Sequence, residues 1–215
     1  MTKKFLLALI LTASAFAATA ETVVDLGATR INSESTTAIL SAKSDFQLNN
    51  FEPKFKIDYI YQSQNNITIK DRLDFLSAVE KPVSRRLYLQ GALRYEHDNL
   101  RQHQEKHVTT LGLGIKVIDT SSFAVNYEIA PGYQFYEPRN TAMIRNSVTF
   151  YYEFSSGITV SNSITAENTS NSSYLHNVAE VSTEISSNLD LVFHHVYRKE
   201  DVTDNITGVK LRIKF

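Results

Sequence analysis

The sequence predicts an all-β fold, an antiparallel transmembrane β-barrel of 12 strands behind an N-terminal signal peptide, on three observations. Apolar and polar residues alternate with period two from residue 21 to the end. The alternating runs have similar lengths and are separated by polar, Gly, Pro or Asn clusters. Aromatic side chains gather toward the ends of these runs, where a membrane barrel places its two interfacial girdles.

The first element is a targeting segment. Lys3 and Lys4 precede an uncharged apolar run from Phe5 to Ala17, and Ala18-Thr19-Ala20 has the small-x-small pattern of a signal peptidase site. Residues 1–20 are therefore read as a cleaved signal peptide and 21–215 as one barrel domain. The apolar run is too short to cross about 30 Å of hydrocarbon as a helix. With no Cys in the chain, lipoprotein attachment, disulfides, thiolate catalysis and thiolate metal sites are excluded.

Lys plus Arg (22) nearly equals Asp plus Glu (23), so no net field draws nucleic acid. Mean hydropathy is −0.23, and no apolar run after Ala20 is long enough for a membrane helix. A chain of this kind crosses lipid only as a closed set of strands, because no open edge is tolerated there.

The strands follow in order. They are placed at 22–31, 36–48, 53–64, 67–81, 86–98, 105–118, 122–136, 141–154, 157–168, 173–185, 188–200 and 203–215. The fifth shows the pattern best: Leu87, Leu89, Gly91, Leu93 and Tyr95 on one face, Arg86, Gln90, Arg94 and Glu96 on the other. The first is the weakest, and an even strand number argues for keeping it. About 13 residues at ~3.3 Å each, tilted by ~40°, cover roughly 33 Å of height, enough for an apolar band of about 25 Å and its margins.

Phe46, Phe51, Phe123, Phe154 and Phe215 mark the periplasmic ends, and Tyr59, Tyr61, Tyr95, Tyr133, Phe135, Tyr174 and Tyr197 the outer ends. The closing strand alternates Val209, Leu211, Ile213 and Phe215 with Lys210, Arg212 and Lys214. That pattern looks like the signature by which the barrel assembly machinery engages an outer-membrane protein, so this machinery is an expected partner through Phe215.

Residues 86–136 resemble the family of salt-induced outer-membrane proteins (YdiY-like), whose function is unassigned. The resemblance rests on Leu87-Tyr88-Leu89-Gln90-Gly91-Ala92-Leu93-Arg94-Tyr95-Glu96-His97-Asp98, on Leu111-Gly112-Leu113-Gly114-Ile115-Lys116-Val117-Ile118-Asp119-Thr120, and on Ala130-Pro131-Gly132-Tyr133. Ser35-Thr36-Thr37 and the closing strand extend it over most of residues 22–215. It implies an outer-membrane location and a link to salt or osmotic stress, and it supplies no catalytic residues.

Inward positions carry the chemistry. Arg86, Arg94, Glu96, Glu128, Arg145, Glu153, Glu180 and Arg198 are the candidate lumen residues. Two readings stand for them: a lumen that sorts charged solutes, or a satisfied ion-pair network that fills it. The near-equal signs favour the second, a narrow and paired lumen with charges matched across neighbouring strands. A substrate-specific porin for acidic oligosaccharides is the alternative, and it calls for a basic excess that the sequence lacks.

His97, Asp98, His103 and His107 surround one outer loop, which raises a third reading, a barrel-embedded hydrolase. No inward Ser or Asn is tied to them by spacing, so no catalytic residue, metal site or cofactor is assigned. His194 and His195 point to opposite faces of a strand and cannot share a site. Outer-membrane lipids and lipopolysaccharide are the expected surroundings of a monomer.

Overall fold

In the computed structural model, residues 20–32, 35–65, 67–99, 105–136, 139–200 and 203–215 are described. Residues 1–19 of the signal-peptide segment, like His103, lie outside them, whereas Ala20, read as its last residue, begins the first strand. Twelve strands run in chain order: β1 (Ala20–Asn32), β2 (Ser35–Phe46), β3 (Glu52–Gln64), β4 (Ile67–Pro82), β5 (Leu87–Asp98), β6 (Glu105–Asp119), β7 (Phe123–Tyr136), β8 (Arg139–Glu153), β9 (Ile158–Thr169), β10 (Ser173–Ser186), β11 (Leu189–Lys199) and β12 (Thr203–Lys214). Each pairs antiparallel with its sequence neighbours, and β12 returns to β1, closing the barrel. Closure leaves no exposed edge, as lipid requires.

Alternation decides which side each residue takes. Leu87, Leu89, Leu93, Leu111, Leu113, Ile115, Val209 and Leu211 all face outward and are exposed. Gln90, Glu96, Lys106, Glu167, Arg198 and Lys210 face inward and are buried. Such an inversion of a soluble core is stable only when the outside is hydrocarbon. The aromatic girdles form as expected with one exception. Tyr174 has the parity of Glu180 on β10, so it points into the bore and is buried.

Links between strands are short at both ends. At the end carrying Ala20 and Phe215 the links are 47–51, 83–86, 120–122, 154–157 and 187–188; at the far end they are 33–34, 65–66, 99–104, 137–138, 170–172 and 200–202. The first turn bridges Leu48 to Phe51, with Asn49 at φ 53° in the left-handed region that Asn tolerates. Among the described residues, the side chains that fill the bore come from the strands and from Glu200 just beyond β11.

Two irregularities matter. At Pro131-Gly132 the β6–β7 register stays constant, with Thr110↔Gly132 and Leu113↔Ile129 on either side, and no shift marks a bulge there. Instead the pairs between are missing, because Pro131 brings no N–H to the ladder. The closing seam is the other: β1 and β12 share five registered pairs, from Val23↔Lys214 to Gly27↔Lys210, whereas β1 and β2 share twelve.

Candidate functional site

The bore is built on a wall of small residues. Gly112, Gly114 and Gly132 face inward on β6 and β7, and the β5 side chain Tyr88 lies over Gly114, where a Cβ would sit 2.0 Å from the ring. Glycine here lets an aromatic ring cover the neighbouring strand's backbone. The Tyr88 hydroxyl then donates to Glu128 Oε1 at 2.7 Å. Arg145 Nη2 reaches both Gln90 Oε1 and Glu128 Oε2 at 3.1 Å. One hydrogen-bonded patch thus joins β5, β7 and β8.

In the half of the barrel nearer the termini, charges pair along the wall. Lys43–Asp45 and Lys56–Asp58 lie within single strands, and Lys54–Glu80 and Lys214–Asp190 join adjacent ones. Asp25 accepts from Lys210 at 2.6 Å and from Arg212 at 2.8 and 3.0 Å. Glu180 accepts from Lys210 at 2.5 Å and from Arg212 at 2.7 Å. This four-charge clasp straddles the short β1–β12 seam.

In the far half, pairs cross the bore. Arg94 on β5 grips Glu167 on β9 with two bonds of 2.7 Å. Arg198 on β11 donates to Glu96 on β5, six strands away around the circle. Lys106 on β6 reaches Glu200 beyond β11 at 2.7 Å, and Lys70 on β4 reaches Asp204 on β12 at 2.6 Å. Tyr174 from β10 sits among three of these cations, its ring centre 5.3 Å from Arg94, 5.0 Å from Lys106 and 5.0 Å from Arg198. Such contacts are possible only where side chains meet in the middle.

Solvent access follows the same division. The side chains of Arg198 and Glu167 are 0% and 1% exposed, whereas Lys43 and Lys56 remain 53% and 40% exposed. The bore is therefore a cup that opens at the termini end and is crossed at the other. Balanced, bidentate pairing of this kind offsets the desolvation of each charge and leaves little net potential.

Arg94, Glu96, Glu128, Arg145, Glu180 and Arg198 all lie on the inner wall, as their parity requires. Their partners are not uniformly on neighbouring strands: Arg145–Glu128 is such a pair, while Arg94–Glu167 and Arg198–Glu96 span the bore. Arg86 falls in the β4–β5 turn and is exposed, with its backbone carbonyl accepting from the Lys116 N–H. Glu153 is exposed at the rim and accepts from the Tyr151 hydroxyl. Lys70, Lys106, Glu167, Tyr174, Glu200 and Asp204 are not among those candidates; the parity of Tyr174 with Glu180, and of Asp204 with Lys210, places those two in the bore, whereas Glu200 lies beyond the end of β11.

The His cluster separates. His97 faces outward against Tyr95 and Asn99, whereas Asp98 faces the bore and is buried. His107 lies on the outer face, 5.0 Å from the Tyr95 ring. Among the described residues no group of three His, Asp or Glu is placed to hold a metal ion.

Solved structures share this architecture. A KdgM porin superimposes with a TM-score of 0.55 at 8% identity, covering 90% of this chain and 99% of the porin. The COG4313 outer membrane channel from Pseudomonas putida F1 gives 0.53 at 9% identity, covering 92% and 96%. A NanC porin gives 0.52 at 11% identity, covering 89% and 97%. At these identities the likeness is one of fold. No curated protein matches the sequence. A family described as "Protein of unknown function, DUF481" matches residues 25–208, nearly the whole barrel including both walls of the bore. The chain belongs to the DUF481 family.

Proposed function

We propose that the protein is an outer-membrane barrel whose bore is shut to all but very small solutes by its own side chains, and that it works in the envelope without catalysing a reaction. The crossing of the far half by Arg198–Glu96 and Arg94–Glu167 carries this reading. A pair that meets in the middle of the barrel takes up the cross-section a solute would need.

With the termini in the periplasm, the crossed half lies toward the outside and the cup toward the periplasm. Lipids and lipopolysaccharide would surround the outward Leu, Val and Phe rows. The barrel assembly machinery would take the closing strand through its lipid-facing row ending at Phe215. A role in salt or osmotic stress is an extension of the family resemblance.

The competing porin reading requires a basic excess along the path of an acidic oligosaccharide. One KdgM structure is described as a complex with disordered oligogalacturonate, and its fold is shared here. In this bore, however, every far-half cation named above contacts a carboxylate, which argues for closure rather than for an anion path.

Liposome swelling tests the proposal. Liposomes containing the folded protein should swell in iso-osmotic disaccharide no faster than empty ones. The variant Arg94→Ala/Glu167→Ala/Arg198→Ala/Glu96→Ala removes two whole pairs without changing net charge, and should admit sugar at least severalfold faster. Rapid swelling with the unmodified protein would overturn the closed bore.

A further inference from the structure

The lipid-facing wall is not apolar all round. On β9–β12 the outward residues Asn162, Ala179, His195 and Thr207 form one registered row: Asn162↔Ala179, Ala179↔His195 and His195↔Thr207. Beside it, Asn177 and Asn162 exchange amide hydrogen bonds of 3.3 and 3.4 Å, and His195 Nδ1 lies 2.8 Å from the Thr207 hydroxyl. Toward the termini the next row is apolar: Val160, Val181, Phe193 and Val209. The row sits near the middle of all four strands. On the opposite wall the outward positions are the exposed Leu89, Leu93, Leu111 and Leu113 with the single hydroxyls of Ser77 and Thr109 in the row of Leu93, and no amide.

Amides and an imidazole facing hydrocarbon at mid-depth are unfavourable unless something other than lipid covers them. In membranes, small residues permit close approach, and Asn, His and Thr bond across protein interfaces. We infer that the β9–β12 face is the interface of a homodimer, its occupant a second copy of this chain. This rests on the reading of the outer face as lipid-facing, and it replaces the expectation of a monomer.

Three arguments select a second copy. Each Asn amide uses one N–H in the intramolecular pair and keeps a second donor and acceptor capacity, so the patch complements itself. Two copies inserted the same way are related by an axis along the membrane normal, which makes the contact isologous. The rows, inclined with the strand tilt, then cross where Ala179 leaves room. The area also fits. Four strands about 4.8 Å apart across an apolar band about 25 Å tall give roughly 480 Å² per copy, near the lower limit for a specific interface of about 1,000 Å² in total.

The absence of Cys from the chain makes the test direct. Ala179→Cys, expressed as the full chain, should crosslink under mild oxidation into a species of twice the monomer mass. Thr109→Cys, outward on the far wall, should not. Adding Asn162→Leu and Asn177→Leu to the Ala179→Cys chain should cut the dimer yield at least tenfold while the barrel keeps its heat-modifiable mobility. That mobility shift separates the two readings, since its loss would refute the membrane barrel itself. Failure of Ala179→Cys to crosslink in a heat-modifiable barrel, equal crosslinking through Thr109→Cys, or a crosslink to a polypeptide of another mass would each overturn the dimer.

Discussion

Arg198 and Glu96 show what single residues do in this bore. Both side chains are buried, so removing Arg198 leaves Glu96 with only Arg72 at 4.0 Å, and removing Glu96 leaves Arg198 with only Glu200 at 3.3 Å. Arg198→Ala alone should destabilise the folded barrel by about 3–5 kcal/mol, whereas Arg198→Ala/Glu96→Ala should cost markedly less. Urea unfolding in detergent of both variants and of Glu96→Ala checks this; additive losses would mean that the two charges do not act as a pair. Gly114 offers a second case. A methyl group there would strike the Tyr88 ring, so Gly114→Ala should cost roughly 1–3 kcal/mol by overpacking. Most of that loss should vanish in a Tyr88→Ala background, and a loss unchanged in that background would show that the ring is not the obstacle. The sequence makes the inward parity of Arg94, Glu96 and Arg198 plain. It does not reveal that Arg94 meets Glu167 or that Arg198 meets Glu96, because alternation fixes the face of a residue and not the residue it meets across the bore.

At the level of elements, strand boundaries are almost wholly legible. The reading of 67–81 for the fourth strand compares with Ile67–Pro82, and 105–118 for the sixth with Glu105–Asp119. Period two, Gly and Asn at turns and uniform length all act locally, so they survive folding unchanged. Tyr174 is the instructive failure: position near a strand end suggested the aromatic girdle, but parity overrides position, and the ring belongs to the far-half cation cluster. The β12 strand carries the sharpest prediction for an element. Leu211 and Ile213 face lipid beside Lys210 and Arg212, which hold Asp25 across the short seam. Leu211→Asp/Ile213→Asp should set two charges against lipid near the termini end of the barrel, each at less than the about 2–4 kcal/mol of a mid-depth cation, and together with the disturbed closing seam should prevent insertion. Fractionation should find the variant degraded or periplasmic; a normal amount of heat-modifiable barrel in the membrane would show that this face does not meet lipid.

For the whole molecule, the division of the bore into a lined half and a crossed half explains how a 12-stranded barrel can remain closed with short loops. A closed ring of this strand number has a radius of about 12 Å, and strand count alone would permit a channel. Charged side chains from β4, β5, β6, β9, β11 and β12 take up the far half instead. Because the signs balance, weakening the network opens space without creating strong selectivity. The most direct measurement is the current through single barrels in planar bilayers. The account predicts little or no conductance from the unmodified protein and no strong ion preference. The quadruple Ala variant of the two crossing pairs should open larger steps. A large, strongly anion-selective conductance in the unmodified protein, blocked by an acidic oligosaccharide, would contradict the closed bore and make the barrel a porin.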